Sequence, residues 1–349
     1  MSKREVRWGV IGCGGIADRR TIPEGIIPAE NSRLVALMGP HIEKVRSIGE
    51  KYGVDRCYSR EEDLLSDPEV DAVYIASPNS AHRFQVIAAA EHGKHILCEK
   101  PLAMTVDECK EMIAACRKNG VKLAVGFMMR FHSCHTKAKQ LVDQGMIGKL
   151  VLGRAQLTTW YPEIDGAWRQ DPERGGGGCL MDMGIHCIDL LRMFLGEVKE
   201  VSAIIGNAAF SYPVEDSALV TMTFEGGGYG ISDSFFSIPD HATLNRFELY
   251  GTQGSILMDR TIGQESTGSL ILRTGTQRGY EARQVRAPFG GIEISPPSVN
   301  MYRAEVEDLA AAVLEDREPL NTGEEALKVQ RVVEAAYEAA RRGISVSLG

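Results

Sequence analysis

The sequence predicts an α/β chain: a doubly wound parallel sheet over residues 1–126, followed by an α+β domain with a mainly antiparallel open sheet over 127–349. Two patterns carry that expectation. Up to residue 126, short runs that are apolar throughout alternate with longer stretches of helical spacing, as parallel strands buried on both faces and their crossover helices require. Beyond Phe127, strand-like runs of alternating polarity follow one another through short glycine-rich turns, which joins antiparallel neighbours. With 349 residues and roughly 150 per domain, two cores are expected.

Taken in order, Val6–Ile11, 34–38, 72–76, His95–Cys98 and Leu123–Val125 read as the parallel strands, with helices over Ile42–Tyr52, 81–92 and 105–119 between them. The last of these opens on Thr105-x-x-Glu108, a capping box, and stops at Asn119-Gly120. In the second part, 134–144 reads as a helix that leads into 149–160, and after an irregular Pro/Gly-rich stretch 179–194 reads as a helix. The strands Val198–Gly206, Ser217–Phe224, 229–236, 245–250 and 255–258 follow, and helices at Met301–Glu315 and 324–341 close the chain.

Composition narrows the function. Lys and Arg number 39 against 47 Asp and Glu, a net charge of −8, so no basic field draws the chain to nucleic acid or to an anionic membrane surface. There is no signal-like leader and no apolar run of about 18–20 residues, and the eight cysteines form no C-x-x-C pair or zinc spacing. A cytoplasmic enzyme without a metal is expected. Its cysteines, Cys98 and Cys179 included, read as reduced packing residues.

The glycines are unevenly spread, and their two clusters point to two halves of a site. The first is strand 6–11 running into Gly12-x-Gly14-x-x-Ala17 and a predicted helix. Gly12 permits the tight turn, Gly14 lets the backbone approach a pyrophosphate, and Ala17 lets helix and strand pack closely, with Gly15 and Ile16 completing the turn. The helix N-terminus then offers free N–H groups to the phosphates. The second strand ends in Gly39-Pro40-His41 and lacks the carboxylate that usually serves the ribose of NAD. With Gly39 at the strand end and Lys44 and Arg46 nearby, the expectation leans to NADP, while Glu43 keeps NAD open.

The fifth strand ends in Glu99-Lys100-Pro101. Ligands of doubly wound sheets bind beyond the carboxyl ends of the strands, so Lys100 emerges where it can hydrogen-bond a substrate oxygen and hold or donate its proton. The second cluster is the run Gly175 to Gly178, read as a flexible approach to a helix. On that helix Asp182, His186 and Asp189 form a polar stripe beside the apolar seam of Leu180, Met183 and Cys187. An acid one turn before a histidine can orient an imidazole that acts as a general acid or base. A structural His–Asp pair satisfies the same spacing.

Glu99-Lys100-Pro101 together with Gly-Gly-Gly-x-Leu-x-Asp-x-Gly-x-His-x-x-Asp resembles the glucose-fructose oxidoreductase/inositol dehydrogenase (Gfo/Idh/MocA) family over essentially the whole chain. The resemblance implies a Rossmann domain and Lys100 and His186 as the catalytic pair, with Asp182 holding a substrate hydroxyl beside them. It implies further cofactor contacts at Ser77, Pro78, Asn79, His82, Glu99, Lys100, Met128 and Arg169, and a peptide bond before Pro101 that is often cis. Substrate contacts are expected from Arg130, Trp168 and Tyr302 as well. The implied activity is hydride transfer between NAD(P) and a secondary alcohol or carbonyl of a small polyhydroxylated substrate, a sugar or cyclitol, in a homodimer or homotetramer. A nicotinamide-binding regulator without turnover and an NAD-dependent glycosidase are the alternatives on the same fold.

Overall fold

The structure is a computed structural model that describes residues 4–275, 279–280, 282 and 290–349. The chain divides into two compact units. The first takes the described residues up to Met128 with Asp171–Gly176 and Asn300–Arg331; the second takes Met129–Gln170, the described residues of Gly177–Val299, and Val332–Gly349. A single boundary between 126 and 127 does not describe this path, because the chain returns to the first unit twice.

The elements run β1 (Val6–Ile11), a π-helix (Ala17–Ile26), β2 (Ser32–Met38), α1 (Ile42–Tyr52), β3 (Arg56–Tyr58), α2 (Glu61–Leu65), β4 (Ala72–Ile75), α3 (Asn79–Glu91), β5 (His95–Cys98), α4 (Val106–Asn119) and β6 (Leu123–Val125). Then come α5 (Ser133–Asp143), β7 (Leu150–Thr158), the single turn α6 (Pro172–Gly175), and a π turn (Leu180–Gly184) running into α7 (Ile185–Leu195). The remainder is β8 (Val198–Gly206), β9 (Ser217–Phe224), β10 (Tyr229–Phe235), β11 (Phe247–Gly251), β12 (Gly254–Asp259), β13 (Ser269–Thr274), β14 (Ile292–Glu293), α8 (Met301–Glu315), α9 (Gly323–Arg342) and β15 (Val346–Ser347).

In the first unit all strands are parallel, in the order β3-β2-β1-β4-β5-β6. This is the doubly wound order whose direction reverses between β1 and β4, and the crevice at that reversal is where such sheets take ligands. Trp8, Val10, Ile11, Tyr74 and Ile75 are fully buried on the two central strands. Helix α8 packs against the π-helix and joins the same core through Val306, Leu309 and Ala310. Pro23 has no N–H to give an α-helical ladder, and the helix around it takes wider turns, the Ile27 N–H closing on the Ile22 carbonyl at 3.1 Å.

The second unit is built on nine strands, β14-β13-β12-β11-β7-β10-β9-β8-β15, antiparallel except for the central β7–β10 pair. Helix α7 packs on β7 and β10. It lies close enough that a Cβ on Gly153 would stand 2.7 Å from Leu191 and 3.0 Å from Leu195. Residues on the opposite face include Leu219, which pairs with Ile204, and Tyr229; all three are exposed. Among the described residues no helix is long and apolar enough to cross a membrane, and no group of three or more His, Cys, Asp or Glu is placed to hold a metal ion.

The capping box predicted for α4 is formed: the Thr105 hydroxyl accepts the Glu108 N–H at 3.2 Å, and the Glu108 carboxylate accepts the Thr105 N–H at 3.2 Å. Thr105→Ala is expected to cost about 1 kcal/mol, read as a lowered thermal midpoint, with Thr105→Ser close to the parent.

Candidate functional site

The turn after β1 has the shape its glycines predict. Gly12 sits at φ +81, and its N–H and that of Cys13 both donate to the Met38 carbonyl at 3.0 and 3.2 Å. A Cβ there would stand 3.0 Å from backbone atoms of Ala76 and Ser77, so the ends of β1 and β4 close on the turn. The space where a Gly14 side chain would lie is 3.5 Å from the Lys44 ammonium, and beside Gly15 nothing stands within 4 Å. The Lys44 cation and an open approach meet at a turn that leads into a helix N-terminus, where the N–H groups of Ala17 and Asp18 close on the Gly14 carbonyl at 3.1 and 3.5 Å, and the positive end of that helix fits a dinucleotide pyrophosphate. At the end of β2, Pro40 and His41 are exposed, and Glu43 is ion-paired with Arg46 at 3.0 Å.

The turn that bears Lys100 is held from several sides. The Lys100–Pro101 bond is cis. His82 is fully buried, one ring nitrogen 2.9 Å from the Pro101 carbonyl and the other 3.0 Å from that of Ser77. Burial lowers its pKa, so the ring is neutral and donates its single N–H to one carbonyl at a time. Both nitrogens face backbone, so what His82 gives a cofactor is the position of Ser77 and Pro101. Ser77 donates to Gln85, and Asn79 donates to the Gly175 carbonyl at 2.8 Å, tying the returning segment to the first unit. The Glu99 carboxylate accepts the Tyr74 hydroxyl at 2.6 Å and the Lys100 N–H at 3.3 Å. It lies so close to Gly126 that a Cβ there would stand 3.3 Å away. Met128 and Tyr302, expected at the cofactor and the substrate, are buried in this unit.

In the second unit the helix bearing Asp182 and His186 is anchored by a carboxylate. Glu215 accepts the N–H of Gly178 at 2.9 Å, that of Leu180 at 3.0 Å and the Tyr337 hydroxyl at 2.8 Å, while its own carbonyl accepts the Cys179 N–H at 3.0 Å. An acid at a helix N-terminus meets orphan donors and the positive dipole end together. Burial is still the larger effect and pushes the Glu215 carboxyl upward. The glycine run is therefore closely packed and not a flexible approach. A Cβ on Gly178 would fall 1.9 Å from the Glu215 carbonyl, and one on Gly177 2.1 Å from the Tyr337 hydroxyl.

Asp182 has an ion-pair partner that spacing alone could not name: Arg169 at 3.3 Å, its guanidinium 4.2 Å from the centroid of the Trp168 ring. Tyr161, which sequence reasoning passed over in an irregular stretch, stands within the electrostatic reach of both charges, and burial raises its phenol pKa. Arg130 makes a different contact from the substrate contact expected of it. It is buried and bidentate on Asp189, Nη2 to Oδ1 at 2.6 Å and Nε to Oδ2 at 2.9 Å, which removes Asp189 from the polar stripe.

Residues 6–127 match the oxidoreductase family with an NAD-binding Rossmann fold, and residues 135–257 match the GFO/IDH/MocA C-terminal domain. The chain belongs to the Gfo/Idh/MocA family, and it is an NAD(P)-dependent oxidoreductase acting on CH–OH groups. It is 29% identical over 321 residues to 1,5-anhydro-D-fructose reductase of Ensifer adhaerens, 91% of either chain being covered. It is 29% identical over 341 residues to D-xylose 1-dehydrogenase (NADP(+)) 2 of Haloferax volcanii, covering 98% of this chain and 99% of the other. Among solved structures, aldose-aldose oxidoreductase from Caulobacter crescentus, complexed with glycerol, superposes with a TM-score of 0.89 at 31% identity over 99% of this chain and 100% of that one.

Removing one partner of a buried ion pair strands the other charge. Arg130→Met is expected to cost about 3–5 kcal/mol by chemical denaturation, and Arg130→Met with Asp189→Leu distinctly less than the single change.

Proposed function

We propose that this oxidoreductase moves hydride between a nicotinamide and a secondary alcohol or carbonyl of a sugar or cyclitol, using NADP ahead of NAD. The observation that carries the reading is the fixed turn at the carboxyl end of β5: Glu99, His82 and the backbone around Pro101 hold the residue from which the Lys100 side chain projects. Such rigidity suits a group that must meet a substrate oxygen in one geometry. The relatives' names, which speak of anhydrofructose, xylose and aldose substrates, support the sugar class. The missing acid after β2, and Lys44 beside Gly14, support NADP.

When bound, the nicotinamide supplies or accepts the hydride. The chain's own part is the proton: in oxidation, Lys100 accepts the hydroxyl proton as hydride leaves the same carbon, and in reduction it returns it. His186 is assigned as its catalytic partner. Asp182, held by Arg169, is assigned to a substrate hydroxyl, with Trp168 beside it. Ser77, Pro78, Asn79, Gly39, Ile16 and Ala17 are assigned to the walls of the cofactor site. A cytoplasmic location accords with eight free cysteines. A homodimer or homotetramer accords with the exposed Ile204, Leu219 and Tyr229 of the second sheet, and light scattering at working concentration reads it.

Fluorescence titration with NADPH and NADH, then a polyol and keto-sugar panel, tests the assignment. NADPH is expected to bind more tightly, and Lys100→Met to lower kcat/KM by roughly 100-fold or more with cofactor affinity retained. Turnover unchanged by Lys100→Met overturns it.

A further inference from the structure

Beneath the Lys100 turn lies a buried carboxyl that the mechanism does not use. Helix α8 begins at Asn300, whose side chain accepts the N–H groups of Tyr302 and Arg303 and donates to Glu24 at 3.0 Å. This presents Tyr302 and Glu305 inward, one turn apart, at 2% and 3% exposure. Among the described residues no donor reaches either carboxyl oxygen of Glu305, and none pairs with the buried Tyr302 hydroxyl.

The groups around this carboxyl are these. Glu99, at the end of β5, acts electrostatically on Glu305, Tyr302 and Tyr74. From β4 comes Tyr74, whose hydroxyl donates to Glu99 and accepts from Thr21 at 2.9 Å. From the π-helix come Arg20, 5.8 Å from the Tyr302 ring centroid, and Glu24, which is paired with Arg20 at 2.7 Å. The charged residues of β1 and β2, Arg7 and Arg33, are engaged elsewhere, by Asp71 and Glu5.

A buried carboxyl beside a second, half-buried one cannot be charged at low cost while its neighbour is an anion. Glu99 has donors for an anion, the Tyr74 hydroxyl and the Lys100 N–H; among the described residues Glu305 has none. We propose that Glu305 and Glu99 form a one-proton pair, with the proton on the buried Glu305 and the charge on the half-buried Glu99, which fixes the charge under the Lys100 turn at a single negative. Burial first, and the Glu99 charge second, push the Glu305 carboxyl well above the usual carboxylate range, in keeping with this. The consequence for chemistry rests on the assignment of Lys100 above: the peptide that carries the lysine donates to an anion whose charge does not change over the working pH range.

The test has three arms on the full chain. Infrared spectra of the parent at neutral pH are expected to show a protonated-carboxyl carbonyl band that moves down in heavy water, is shifted by carbon-13 labelling of glutamate, and is missing from Glu305→Gln. Thermal midpoints of parent and Glu305→Gln form the second arm. A carboxyl raised in the folded state contributes stability below its unfolded pKa and loses it as pH rises toward its folded value, whereas glutamine loses nothing. The gap is therefore expected to widen in favour of Gln between pH 5 and pH 8, by about 2 °C per unit. In the third arm, Lys100→Met is expected to keep the band and shift its frequency.

Absence of the band, or a midpoint gap flat with pH, means an ionised Glu305 and overturns the proposal. A band unmoved by Lys100→Met overturns its link to the lysine. The first two arms need no turnover, and the labelled parent needs no variant, so they stand or fall separately from the assignment of Lys100.

Discussion

A carboxyl drawn into the fold must be given donors, and in each unit one such group organises the element that bears residues proposed for the chemistry. In the first it is Glu99, held by Tyr74 and by the peptide of Lys100. In the second it is Glu215, which gathers the N–H groups of Gly178 and Leu180 and the Tyr337 hydroxyl. The glycines follow from these anchors. Gly126 leaves room for the Glu99 carboxylate, and Gly178 leaves room for the Glu215 backbone. The residues that look flexible in the sequence are small because something polar is packed against them.

The same rule accounts for polar residues whose contacts differ from those the sequence implied. Arg130 and Asp189 neutralise each other inside the second unit. Arg169 lies between the Trp168 ring and Asp182, so the carboxylate assigned to substrate is already oriented by a cation. His82 braces two carbonyls of the loops that flank the Lys100 turn. Each of these groups shapes the site through its partner. Lys100, His186 and Asp182 are the residues that the proposal assigns to the substrate.

Most of the fold was legible because its signals are local. The strands Val6–Ile11, His95–Cys98 and Leu123–Val125, and the helices Ile42–Tyr52 and Met301–Glu315, fall where their patterns put them. Of the elements not foreseen, β3, α2, α6, β14 and β15 are too short to show a period, while β13 alternates over six residues and was passed over; the helix predicted after Gly15 takes π turns around Pro23, which no hydrophobic spacing announces. Helix α8 was foreseen as a helix, while its membership of the first unit was not. A 3.6-residue period says which face is buried, not against what.

By itself the sequence determined the order of strands and helices, the glycine turn for a dinucleotide, the lysine at the end of β5 and the helix bearing Asp182 and His186. These depend on spacing, capping and turn chemistry within a few residues, which the chain carries wherever it goes. Only the tertiary structure decided which charges are paired. Asp182 with Arg169, Asp189 with Arg130 and Glu215 with Tyr337 are contacts across long stretches of chain or between separate elements, and Glu305 is buried without a donor among the described residues. Whether a carboxyl is an anion or an acid depends on the donors and charges that folding brings to it, and that information exists only once the core has closed around it.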